Sequence, residues 1–179
     1  DQSIAVVDKR AGMLSVPGRG IEKLDSVSHR FHTLFPSTPE VCHVHRLDMD
    51  TSGLLVLAFD RESVKNLMMQ FEERSVKKTY VALLEGVIEE ESGDVDMPMR
   101  LDVDHRPRQI IDWEQGKRAI THWERIKVIT TPKERFTLVR FFPHTGRTHQ
   151  LRVHASEGLK HPIVGDNLYG HQKEGERLM

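Results

Sequence analysis

The stretch His45-Arg46-Leu47-Asp48-Met49-Asp50-Thr51-Ser52-Gly53 leads directly into Leu54-Leu55-Val56-Leu57-Ala58-Phe59. The second half is a continuous apolar run and predicts a strand buried on both faces. Just upstream, Val41 to Val44 alternates and predicts a short extended segment. Between the two stand a cation, two carboxylates, two hydroxyls and a glycine. Hydroxyls bond local backbone in tight turns, and Gly takes positive φ there. A turn pinned to a buried strand holds its carboxylate still, which is what a catalytic Asp needs. Asp48 is therefore the first candidate.

Three simpler chemistries compete for this stretch. Asp48, Asp50 and Ser52 imitate the opening of a calcium loop, but such a loop closes on a bidentate Glu, and Phe59 stands in that place. Asp48-x-Asp50 also imitates the carboxylate pair of Mg²⁺-dependent phosphohydrolases. Those enzymes place the pair after a hydrophobic strand, whereas here the strand follows. A solvated polar turn is the plainest account of any single Asp.

The chain has 179 residues, 37% apolar and 30% charged, as in a soluble globular protein. No apolar run approaches the ~20 residues of a membrane span, and no signal-peptide pattern opens the chain. The single cysteine, Cys42, excludes an internal disulfide and fits a reducing, cytoplasmic setting. Net charge is −1, which excludes a bulk-basic nucleic-acid binder. The charge is unevenly distributed. Between Phe136 and Ser156 there is no acid, while Arg140, His144, Arg147, His149, Arg152 and His154 all occur. Glu85 to Asp96 is dominated by acids. A local basic region on a neutral chain suits a phosphate backbone held at one face.

Taken in order, Ile4 to Val7 predicts a first strand, turned by Lys9-Arg10-Ala11-Gly12, and Leu14 to Gly18 a short extended piece. Ser26 to Phe35 predicts a helix capped by Ser26, with Val27, Phe31, Leu34 and Phe35 as its apolar face and Pro36 as its end. Asp60 predicts the cap of a second helix, with Val64, Leu67, Met68 and Phe71 on its core face. Lys77 to Leu84 predicts a strand. Gly86 to Arg108 predicts an acidic loop, a short strand and a Pro-containing turn. Arg118–Ile129 and Phe136–Phe142 predict a hairpin joined at Thr131-Pro132-Lys133. Pro143 to Gly146 breaks the pattern, and Thr148 then predicts the cap of a helix that Gly158 stops. No repeat or linker interrupts the chain. One α+β domain over residues 1–179 is expected, with a mostly antiparallel sheet.

A second constellation is Gly146-Arg147-Thr148-His149-Gln150-Leu151-Arg152-Val153-His154. An Arg on a tight turn can hold a carboxylate through two parallel hydrogen bonds. Neither His149 with His154 nor Cys42-His43-x-His45 has a metal-ligand spacing. A third is Lys77-Lys78-Thr79-Tyr80, in which a strand Tyr is ordinarily a packed aromatic.

His-Arg-Leu-Asp-x-x-Thr-Ser-Gly, Lys-Lys-Thr-Tyr and Gly-Arg-Thr-His-Gln-Leu-Arg-Val-His together resemble the RluA-type pseudouridine synthases. The likeness runs in order along nearly the whole chain. Leu14–Arg19, Asp25–Val27, Arg106–Gln109 and His161–Gly170 add to it, the last as a structural segment. The resemblance implies the pseudouridine synthase fold, a mixed, mostly antiparallel sheet flanked by helices with the active-site cleft across the sheet. It implies that Asp48 is the catalytic carboxylate, that Arg147 pairs with it, and that Tyr80 lies against the target base. Arg46 then enters the space the base vacates. Leu151 is a wall for the base, and His45, Thr51, Gln150 and Arg152 are further candidate RNA-binding residues. The implied partner is a stem-loop of ribosomal or transfer RNA, with no cofactor, no metal, no membrane and a monomeric enzyme. Two departures stand out. Asp8-Lys9-Arg10-Ala11-Gly12 occupies the place of the family's Asn-Lys-Pro-x-Gly. The chain also ends at Arg177-Leu178-Met179, where the family continues into further strand, so a C-terminally shortened domain without an added N-terminal RNA-binding domain is expected. A non-catalytic RNA-binding module and a Mg²⁺-dependent phosphohydrolase using Asp48 and Asp50 are the alternatives.

Overall fold

Strands β1 (Ile4–Lys9) and β2 (Gly53–Ala58) pair antiparallel in the computed structural model, which describes residues 2–170. Ile4 lies opposite Ala58 and Lys9 opposite Gly53. Leu55 and Leu57 are fully buried and join Val27, Phe31 and Cys42 in one apolar cluster. On the other side of β2, Ala58 joins Val44 and Val64, with Val56, Leu67 and Phe71 packed against them. Both faces of β2 are thus covered, as its apolar run predicts. The exception is Leu54, 67% exposed at the start of the strand, beside the polar turn.

Helix α1 (Val27–Leu34) begins where Ser26 accepts a hydrogen bond from the His29 amide. Val27 and Phe31 are buried. Leu34, expected on the same face, is 74% exposed. Helix α2 (Arg61–Glu72) is capped by Asp60, whose carboxylate accepts from the Ser63 amide at 2.8 Å. Val64, Leu67 and Phe71 face the core. Met68, expected among them, lies with Met69 on the exposed flank. These elements form a compact unit that runs through Val76.

A second compact unit begins at Lys77. It holds β3 (Tyr80–Glu85), β4 (Ser92–Leu101), β5 (Gln109–Ile111), β6 (Lys117–Thr130) and β7 (Arg135–Pro143). They form one sheet in the order β3-β7-β6-β4-β5, with every pair antiparallel. All four strand pairs of this sheet are antiparallel, in keeping with the mostly antiparallel sheet expected. The β6–β7 hairpin forms as predicted, its turn closed by the Thr131 amide donating to the Glu134 carbonyl at 2.9 Å. β4 is longer than the sequence suggests, because Pro98 lies inside it. Proline is tolerated there for a local reason. Its carbonyl accepts from the Asp112 amide, so its ring nitrogen points away from β6, past the end of β5, where no donor is required.

The inner face of this sheet buries Leu84, Val95, Trp123, Val139 and Phe141 with Ile88 and Ala155. Ala155 belongs to a π-helical turn, His154–Gly158, that continues the short helix α3 (Gln150–Val153). Thr148 does not cap α3. His149, in left-handed conformation, takes the N-cap position without a side-chain bond. Gly158 does not stop the helix by positive φ, a task that falls to Lys160 at φ 61. Gly158 is instead required by packing, since a Cβ there would come within 2.6 Å of Val95 Cγ1.

His154 is fully buried, and its Nδ1 lies 2.9 Å from the Thr121 hydroxyl. Burial lowers its pKa to about 4, and Asp96 opposes this only in part. An unfolded His protonates near 6.5. Stability due to neutral His154 is therefore complete above pH 6.5 and is lost as pH falls toward 4. Unfolding in urea should show roughly 2 kcal/mol lower stability at pH 5 than at pH 7. That difference should shrink in His154→Gln. An unchanged pH dependence in the variant would assign the effect to other groups.

Candidate active site

In the first unit, Asp48 lies half-buried in the turn between Leu47 and β2. Its carbonyl accepts from the Thr51 amide at 3.1 Å, closing the turn, and Gly53 takes φ 127 as the chain enters the strand. The residues on either side of Asp48 are fixed by groups far away in sequence. Ser15, 3% exposed, both donates to the Leu47 carbonyl at 2.7 Å and accepts from the Leu47 amide at 3.0 Å. On the other side, the Met49 carbonyl accepts from Lys9 Nζ and from the Gly12 amide, each at 2.9 Å.

Lys9 is 1% exposed, and its Nζ also donates to the carbonyls of Met13 at 2.7 Å and Arg10 at 3.1 Å. Three carbonyl acceptors match the three donors of an ammonium group. Burial pulls its pKa below the usual Lys range, and the charges of Asp50 and Asp48 pull it back up. A buried cation under the turn thus complements the two carboxylates of that turn.

The other candidates of this unit divide. Arg46 is exposed. Thr51 is half-buried and serves the turn through its amide. His45 has a structural duty: its Nε2 accepts from the Val56 amide at 2.9 Å, which fixes the proton on Nδ1, and its ring stacks on Phe71 at 4.6 Å.

In the second unit, Tyr80 opens β3 opposite Phe141. Tyr80 and Leu151 both pack at the rim of the core formed by Trp123 and Phe141. Arg147 is exposed on the loop between β7 and α3. Its Nε donates to the Arg118 carbonyl at 3.4 Å. Lys78 Nζ donates to the Thr145 carbonyl of the same loop at 3.3 Å, so a second cation stands beside Arg147. Gln150, 4% exposed, spends its carboxamide on protein groups. Arg152 forms a two-bond pair with Asp166, both contacts 2.7 Å, and lies over the Tyr169 ring. Burial raises the Asp166 pKa, but Arg152 and the amides of Leu168 and Tyr169 outweigh it and hold it below the usual carboxylate range. The guanidinium fork of Arg152 is thereby turned onto this carboxylate. Tyr169 ties the segment down by accepting from the Gln109 amide at 2.7 Å. The late segment His161–Gly170 is in this respect structural, as its sequence suggests. Residues beyond Gly170, including the expected C-terminal end of the domain, lie outside the described residues.

Lys9 and Ser15 are the supporting residues that sequence reasoning missed. Both act on partners 40 and 32 residues away. Only the family's Asn-Lys-Pro-x-Gly turn hinted at Lys9, and nothing local distinguishes Ser15. Ser15→Ala leaves the Leu47 amide and carbonyl unpaired inside the protein. It should lower stability by about 1–3 kcal/mol, read from urea unfolding. An unchanged stability would mean that the Leu47 groups find other partners.

Comparison with known proteins supplies the chemistry. Residues 3–157 match the family described as RNA pseudouridylate synthase. The chain is 43% identical over 171 residues to the dual-specificity RNA pseudouridine synthase RluA of Yersinia pestis, covering 96% of this chain and 80% of that protein. It is 43% identical over 169 residues to RluA of Escherichia coli, covering 94% and 74%. Among solved structures, human RNA pseudouridylate synthase domain containing 1 superposes with a TM-score of 0.78 at 30% identity, over 96% of this chain and 68% of that one.

Proposed function

Because the chain belongs to the RNA pseudouridylate synthase family, we propose that it converts uridine to pseudouridine in RNA, with Asp48 as its essential carboxylate. The observation that carries this is the extent of the family match. It spans residues 3–157 and so includes Asp48, Tyr80 and Arg147. The reaction breaks the bond from C1′ to N1 of uracil, turns the ring, and joins C1′ to C5. The hydrogen on C5 leaves as a proton and N1 gains one. No electron is gained or lost, so the balance calls for no redox cofactor. Asp48 begins this by attacking C1′, by attacking C6, or by taking a proton from the ribose. Arg147 orients Asp48 and Tyr80 packs against the uracil, with Leu151 as a further apolar wall. The phosphohydrolase and the non-catalytic module lose ground, because neither accounts for the family match.

The substrate class we propose is a stem-loop of ribosomal or transfer RNA, the class suggested by the dual-specificity relatives, acted on by a cytoplasmic monomer. Among the described residues no helix is long and apolar enough to cross a membrane. Pseudouridine mapping of RNA from cells lacking the gene tests this directly. Loss at one or more uridines in either RNA is expected, and a complete map would contradict it.

A stacked uridine is beyond the reach of any side chain, so the base must be flipped. The family resemblance supports Arg46, exposed and two residues from Asp48, as the residue that fills the gap that results. If it fills that gap, Arg46→Ala loses the compensation for unstacking, a cost of about a few kcal/mol. The deficit should then shrink on RNA whose target base is already unstacked by an abasic neighbour. An equal deficit on both RNAs would make Arg46 a phosphate contact.

A further inference from the structure

We propose that Gln150 is a positioning residue for Arg147, holding the turn that aims its guanidinium. This rests on the reading that Arg147 serves the isomerisation. Gln150 is 4% exposed, and its carboxamide makes four hydrogen bonds. Its Oε1 accepts from the Arg147 amide at 3.0 Å and from the Thr145 hydroxyl at 2.7 Å. Its Nε2 donates to the Ile120 carbonyl at 3.0 Å and to the Thr121 hydroxyl at 2.9 Å. A primary carboxamide has two donors and two acceptor sites, and all four are used.

The orientation of that amide is fixed by chemistry. Turning it over would set two donors face to face at the Arg147 amide and two acceptors face to face at the Ile120 carbonyl. Gln150 therefore reads backbone of β6 on one side and backbone of the Arg147 turn on the other. Ile120 reinforces the link, since its amide donates to the Thr145 hydroxyl at 2.9 Å and its carbonyl accepts from the His144 amide at 3.0 Å. The Thr121 hydroxyl, after accepting from Gln150, stands 2.9 Å from Nδ1 of the buried His154. The turn is thus tied to the middle of the sheet by one side chain, and the π-helical segment is joined to the same network.

The Arg147 amide lies in the turn ahead of α3, outside the helix ladder, and needs a partner of its own. Gln150 satisfies it from within the helix, leaving the Arg147 side chain exposed over the Arg118 carbonyl. A guanidinium that must meet a carboxylate in two parallel bonds tolerates little angular error. A rigid backbone under it supplies that precision.

Gln150→Met keeps approximate size and removes all four bonds. It should lower kcat for pseudouridine formation by ~10- to 100-fold, the scale of a small misplacement of a catalytic group. KM for a stem-loop RNA should stay within about threefold of wild type, since uniform binding is untouched. The same change is then made in Arg147→Lys, which lacks the two-bond clamp. If Gln150 acts through Arg147, the second loss falls below about threefold, because coupled residues are not additive. An undiminished loss in the Arg147→Lys background overturns the proposal, as does a wild-type rate for Gln150→Met. Thr145→Val removes one arm of the network and carries the same cycle if Gln150→Met fails to fold. A wild-type protein that forms no pseudouridine would end the functional reading before any variant is compared, and the positioning role with it. A working wild type with additive variants ends the positioning role alone.

Discussion

Asp48→Asn should form no detectable pseudouridine, a loss of roughly 10⁴-fold or more if the carboxylate attacks or removes a proton. The amide keeps the size of the side chain and loses its charge and basicity. Fold and RNA affinity should be close to wild type. The turn is built from backbone bonds at Leu47, Met49 and Thr51, none of which uses the Asp48 side chain. The measurement is single-turnover formation of pseudouridine on a stem-loop, together with RNA binding and urea unfolding of the same protein. Residual turnover within tenfold of wild type would remove Asp48 from its role. Loss of binding or stability in step with activity would make Asp48 structural.

Arg147→Lys should retain binding and lose about 100-fold or more in rate, although the charge is kept. A guanidinium presents a planar fork to a carboxylate, and an ammonium group is a point charge that cannot. The Gln150 network makes this contrast sharper, since a preorganised turn cannot swing to bring the ammonium group of a Lys into place. Single-turnover rates at saturating enzyme separate the loss of rate from loss of affinity. A Lys variant near the wild-type rate would make Arg147 a general phosphate contact.

Much of the fold was legible because its signals are local. The Ser26 and Asp60 caps, the apolar spacing of Val64, Leu67 and Phe71, and the hairpin around Thr131 all lie within a few residues of their partners. What escaped depends on contacts distant in sequence. Pro98 argued against a long β4 until β5 proved too short to need its amide. Thr148 sits where a cap is expected, but His149 in left-handed conformation takes the N-cap position instead. The candidate active site divides in the same way. The positions of Asp48 and Arg147 on turns follow from the order of polar and apolar residues. The Lys9 ammonium and the Ser15 hydroxyl that fix the Asp48 turn are invisible without the pairing of β1 with β2. Arg152, read as an RNA contact from its place in a basic run, had a carboxylate 14 residues away to satisfy.

This chain is proposed to isomerise uridine in RNA through Asp48. The most direct measurement uses stem-loop RNA from ribosomal or transfer RNA, tritiated at uracil C5, in a single turnover with excess enzyme and excess EDTA. Joining C5 to C1′ displaces the C5 hydrogen, so each isomerised uridine releases its tritium to water. Wild-type protein should release it stoichiometrically at the target uridine, and Asp48→Asn should release none. Release by both proteins, release that returns only on adding Mg²⁺ under conditions where the RNA stays folded, or release by neither across these RNAs would contradict the claim.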